Sequence, residues 1–112
     1  MPRKMSFALT IDQFKSQTKD VTRRFGWWFL KPGDVVEGVE KSMGLKKGQK
    51  VVSLGLIEIV SVRPEPVNAI CQEDVIREGF PELTQQQFIE ILTGNNSMGP
   101  TSICNRIEFR YL

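Results

Sequence analysis

The run VVSLGLIEIVSV, residues 51–62, constrains this chain more than any other stretch. It is rich in β-branched residues and apolar on both faces, which suits a central strand reaching from Lys50 to Arg63. Gly55 is the expected bend. Pro64 and Pro66 are expected to end the strand, since neither can donate to a ladder. A second strand closes the chain. Ile103, Ile107, Phe109 and Tyr111 alternate with Cys104, Arg106, Glu108 and Arg110, and only Asn105 interrupts the apolar side. That period of two predicts a half-buried strand with one wet face.

Shorter elements fill the rest. Residues 5–10 (MSFALT) read as a first strand, and Ile11 and Phe14 suit one or two helical turns over residues 11–17. Pro32-Gly33 is a turn signal, because Pro presets the first corner and Gly accepts the positive φ that follows. A strand is expected from Asp34 to Lys41, then a loop over residues 43–49 (MGLKKGQ). Gln72 to Glu78 reads as a short helix with acids in its first turn and Gly79 as its stop. Thr84 with Gln87 is a capping-box pattern opening another helix. Its buried side is expected to be Phe88, Ile91 and Leu92, with Gly94-Asn95 closing it. These elements make a small α+β domain with a mainly β core and two or three short helices. A length of 112 residues is one domain, residues 1–112.

Several function classes drop out. No apolar run approaches the ~20 residues of a membrane span, and the opening MPRKMSFALT lacks the apolar stretch of a secretory signal. Cys71 and Cys104 are expected to be reduced thiols in a cytoplasmic protein. The chain contains no histidine, which removes Ser-His-Asp and Cys-His pairs and the usual zinc sites. No carboxylate cluster has ligand spacing either, so neither a metal nor a cofactor is expected. An enzyme built on this sequence must move protons with Lys, Glu, Asp, Tyr or Cys. Charge is uneven. Residues 1–50 hold eleven Lys and Arg against five Asp and Glu, and residues 51–112 hold four against eight. The basic half can line a phosphate-binding surface, or merely solvate the fold.

Three constellations can carry chemistry. In TKDVTRR, residues 18–24, three cations and two hydroxyls fall within seven residues. Such a group can hold an anion, and a desolvated Lys19 can act as base toward Thr22; the alternative is a solvated turn. Beside it stand Phe25, Trp27, Trp28 and Phe29, which suit base stacking or a buried core. Most are expected to be core, with Trp27 or Trp28 lining a pocket. Third, Glu78 sits in the last turn of its helix, facing the negative end of the dipole. It is therefore not placed for helix stability, which suits an acid–base role; the alternative is a surface ion pair.

At these residues the sequence resembles the ASCH family, which is related to the PUA RNA-binding domains. The likeness rests on the K-x-x-T-x-R stretch as Lys19, Thr22 and Arg24, LKPGD at 30–34, the long strand at 50–63, EGF at 78–80 and the closing RIEFRYL. It implies a small PUA-like β-barrel with flanking helices and a basic cleft for RNA, single-stranded nucleic acid or a modified nucleoside. Arg23, Arg24, Trp27 and Lys31 are then the expected ligand contacts. One bacterial branch of similar length is made of amidohydrolases that deacetylate N4-acetylcytidine. By motif position that branch implies Lys19 as base, Thr22 as nucleophile, Glu78 as acid–base or orienting group, and Arg24 on the oxyanion. The chain departs from this branch between Lys19 and Thr22, in the extra charge of Arg23 and in the aromatic GWWFLKPG. Short chains with GLKKG loops also look like those carried by actinobacteria and their phages. Three readings stay open: a binding module, a Lys-Thr-Glu amidohydrolase or ribonuclease, and an interaction protein with a degenerate cleft. The first two require positions 19, 22 and 78 to converge on one solvent-reachable hollow.

Overall fold

The long strand and the closing strand form the spine of the molecule. In a computed structural model describing residues 2–41, 48, 50–94 and 98–112, β4 (Ser53–Pro66) pairs antiparallel with β5 (Ile103–Tyr111). Three shorter strands complete the sheet: β1 (Arg3–Ser6), β2 (Val21–Arg24) and β3 (Val35–Val39). Their order is β1-β3-β4-β5-β2, with only the β1–β3 pair parallel. Register shifts lie opposite Gly38/Val39 and between Ile59 and Ser61. Such bulges bend the strand that carries them and raise its twist, which suits the curl of this sheet into a half-barrel. The helices are α1 (Ile11–Lys15), α2 (Gln72–Arg77) and α3 (Gln85–Thr93). Mixed α+β architecture is therefore as the residue patterns predict. Among the described residues no helix is long and apolar enough to cross a membrane.

Two apolar clusters form the core. One gathers Phe7, Phe14, Ile57, Ile107 and Phe109 against the sheet, and the other joins Val67, Val75, Phe88, Ile89 and Cys104 under α2 and α3. Phe14 anchors α1 by lying on the cross-strand pair Gly38–Gly55. A Cβ at Gly38 would meet the ring at 2.5 Å, so the close approach requires glycine. The Pro32-Gly33 turn forms with Gly33 at φ +95°, and the Thr84–Gln87 capping box closes as expected.

Several expectations are corrected. The first strand is Arg3–Ser6 rather than residues 5–10. β4 continues through both prolines, because β3 pairs with it only as far as Glu58. Beyond that point β4 is an edge toward β3, where a missing N–H is tolerated. In α3 the buried residues are Phe88 and Ile89, whereas Ile91 is exposed and Leu92 half-buried. The expected wet face of β5 is covered only in its first half, for Glu108 is half-buried and Arg110 exposed as predicted. Cys104 and Arg106 are buried and Ile103 is exposed, since β5 lies between β4 and β2 with Cys104 packed into the helical cluster. Nor is the aromatic run mostly core, for Trp28 and Phe29 are exposed and Phe25 and Trp27 half-buried. Both cysteines are free thiols. The 43–49 loop, apart from Gly48, lies outside the described residues, as does Asn95.

Candidate functional site

Lys19, Thr22, Arg23, Arg24 and Glu78 line one cavity of about 340 Å3. Thr22 and Arg24 share a face of β2 because side chains two apart in a strand point the same way. The Arg24 Nε donates to Thr22 Oγ1 at 3.0 Å, and its guanidinium lies over the Phe7 ring at 4.9 Å. The apolar walls include Phe7, Phe25, Phe80 and Phe88.

Glu78 reaches the cavity through the ending of α2. Gly79 takes φ +102°. The Phe80 N–H donates to Val75 O at 3.1 Å, and the Gly79 N–H to Ile76 O at 2.9 Å. This is a Schellman ending, and Phe80 and Val75 supply its usual apolar contact. The carbonyl of Glu78 accepts from Lys19 Nζ at 2.9 Å, which places a cation at the negative helix end. The same Nζ donates to Glu78 Oε1 at 2.7 Å. Around this joint, Arg77 pairs with Asp20 at 3.0 Å and Glu108 at 2.9 Å, and the Asp20 N–H donates to Arg77 O at 2.9 Å. The hydroxyl of Tyr111 donates to Lys19 O. Burial pulls the Lys19 ammonium below its ordinary value, against the opposing pull of Glu78. Burial likewise holds Arg24 down, to about 10, leaving it a cation at neutral pH.

Arg23, though part of the cavity lining, sends its guanidinium from the other face of β2 into a group of carboxylates. Its Nε and Nη2 donate to Glu65 Oε1 at 3.1 and 2.6 Å, Nη2 to Asp74 Oδ2 at 2.5 Å and Nη1 to Glu78 Oε2 at 3.1 Å. Directly across the ladder stands Arg106, and across from that Arg63. A row of like charges opposes pairing, and the carboxylates between them relieve it. Asp74 bridges Arg23 and Arg106, accepting from Arg106 Nε at 2.7 Å, while Glu65 joins Arg23 to Arg63. The Arg106 bond, joined by that of Arg23 and opposed by desolvation, holds Asp74 well below the usual carboxylate range.

The structure thus brings together five of the seven residues picked from sequence. Trp27 and Lys31 stay apart. Trp27 packs on the sheet core with its carbonyl accepting from Asn105 Nδ2 at 3.0 Å, and Lys31 is exposed beside the Pro32-Gly33 turn. Neither Trp27 nor Trp28 lines the cavity, and from the aromatic run Phe25 does. The sequence reading missed Glu65, Asp74 and Arg106. One signal was present for Asp74: it stands four residues before Glu78, so both carboxylates share a helix face. Among the described residues no cluster of three or more His, Cys, Asp or Glu could hold a metal ion.

No protein-family model matches the chain, and no curated protein does either. Solved structures do. Protein EF3133 from Enterococcus faecalis V583, of the DUF984 family model, is similar with a TM-score of 0.72 at 18% identity, over 100% of this chain and 77% of that one. An ASCH domain from Lactobacillus crispatus JV V101 is similar with a TM-score of 0.61 at 13% identity, over 97% and 78%. The curled five-stranded sheet with its three helices is therefore an ASCH-type fold.

Proposed function

We propose that the cavity binds a modified nucleoside, free or presented by single-stranded RNA, in a cytoplasmic protein. The observation that carries this reading is the convergence of Lys19, Thr22, Arg24 and Glu78 in a space of about 340 Å3 walled by phenylalanines. That size falls in the roughly 300–1,000 Å3 range of small-molecule sites. Aromatic walls suit a planar base, and polar groups on one side suit its hydrogen-bonding edge. Arg23 serves such a ligand indirectly, because its donors are engaged with Glu65, Asp74 and Glu78.

A hydrolytic reading is favoured by one further observation. Thr22 Oγ1 accepts from Arg24, so its own proton is free to leave, and burial lowers the proton affinity of nearby Lys19. In this reading the Lys19 ammonium first hands a proton to Glu78, 2.7 Å away. Thr22 Oγ then attacks an acyl carbon, and its proton passes to the Lys19 amine. Arg24 steadies the oxyanion, and the amine departs with the proton returned by Lys19. Water then hydrolyses the threonyl ester and releases the carboxylic acid.

Both readings are tested by titrating N4-acetylcytidine, cytidine and short RNAs by calorimetry while following cytidine release by chromatography. Binding by wild type, weakened in Arg24→Gln, supports the site. Absence of binding by all of these ligands removes it. Release of cytidine that stops in Thr22→Val while binding persists establishes hydrolysis, and binding without release leaves a binding module.

A further inference from the structure

The cations around the cavity are not equally partnered. Lys19, Arg23, Arg24 and Glu78 line the cavity, and ion pairs run outward from them through Glu65, Asp74, Arg63, Arg106 and Glu108. Each carboxylate is already engaged. Glu78 holds Lys19 and Arg23, Asp74 holds Arg23 and Arg106, and Glu65 holds Arg23. Among the described residues no carboxylate lies within ion-pair distance of Arg24, and Glu78 acts on it only from further off. The one hydrogen bond of the Arg24 guanidinium there is from Nε to Thr22. No fully buried side-chain nitrogen or oxygen among these residues lacks a partner, so the two terminal nitrogens of half-buried Arg24, which make no hydrogen bond there, keep some exposure.

We propose that Arg24 is the seat of a carboxylate carried by a small ligand with an aromatic or apolar body. The open edge of the guanidinium offers parallel in-plane donors, the geometry that matches two carboxylate oxygens. A carboxylate there gives the half-buried guanidinium a direct partner at hydrogen-bond range. The body of the ligand meets Phe7, Phe25, Phe80 and Phe88, with exposed Leu9 and Ile91 also among the lining residues. Phosphate fits less well, because its further charged oxygens need donors while Lys19 and Arg23 are held by carboxylates. This inference goes beyond the nucleoside reading and does not require a nucleobase.

The test compares benzoate, its neutral isostere benzamide, and inorganic phosphate by calorimetry on the full chain. Benzoate is expected to bind about tenfold more tightly than benzamide, the gap between charge-assisted and neutral hydrogen bonds. Arg24→Gln should remove that preference. Arg24→Lys keeps the charge without the fork and should retain only part of it. Equal binding of benzoate and benzamide, tighter binding of phosphate, or no benzoate binding overturns the proposal. The wild-type comparison decides the matter even if a variant fails to fold. Loss of N4-acetylcytidine binding with benzoate binding intact removes the nucleoside reading and leaves this one.

Discussion

Lys19 and Glu78 grip each other beside the cavity through a 2.7 Å ion pair whose two side chains are each 3% exposed. Lys19 also ties off the last turn of α2 through the Glu78 carbonyl, so one ammonium fixes both a charge and a helix end. Removing one member of a buried pair strands the other, at a cost of roughly 3–5 kcal/mol. Lys19→Met is expected to lose about 3 kcal/mol in urea denaturation at neutral pH. Combined with Glu78→Gln the loss should fall short of the sum of the single variants, by about 1–3 kcal/mol. Additive losses would show that the two groups do not support each other.

Asp74 ties part of the fold's stability to pH. Its carboxyl is held below its usual 3.8, chiefly by the bond from Arg106 and also by that from Arg23. A carboxyl depressed on folding contributes stability that is complete above its unfolded value and fades as pH falls through the folded one. Wild type should therefore lose stability progressively below about pH 4. Asp74→Asn should be weaker at pH 7 by roughly 3 kcal/mol, because Arg23 and Arg106 then face each other unbridged. It should also have a shallower slope in acid. Parallel pH curves for the two proteins would contradict this.

Phe14 on Gly38 gives a steric prediction. Adding one methyl at Gly38 forces the ring off the sheet, so Gly38→Ala should cost about 1–3 kcal/mol in thermal or urea unfolding. Pairing it with Phe14→Leu, which shortens the intruding side chain, should recover part of the loss. A neutral Gly38→Ala would mean that α1 does not dock where the structure puts it.

The two thiols should separate cleanly. Burial pushes Cys104 up to about 11, whereas Cys71 is exposed. Since the thiolate is the reactive form, Ellman's reagent at pH 8 should titrate one thiol in the native protein and both after denaturation. Rapid reaction of both in the native state would place Cys104 in the wrong environment.

Much of the fold is legible in local patterns, because they report on backbone chemistry. The two long strands, the Pro32-Gly33 turn, the helix stop at Gly79 and the Thr84–Gln87 cap each depend on residues near in sequence. The errors fall where a neighbour distant in sequence decides. Pro64 and Pro66 remain in β4 because β3 stops short of them, and Arg106 is buried because Asp74 arrives from α2 to meet it.

The candidate site divides in the same way. The sequence alone placed Lys19, Thr22 and Arg24 within one short segment and marked Glu78 as a carboxylate poorly placed for its helix. A strand repeat of two and a helix ending in glycine are enough to establish that much. Only the tertiary structure decided that these groups share a cavity, that the Arg23 guanidinium holds three carboxylates, and that among the described residues none pairs directly with Arg24. Pairing of charges depends on distances between segments 32 to 59 residues apart, which no local period encodes.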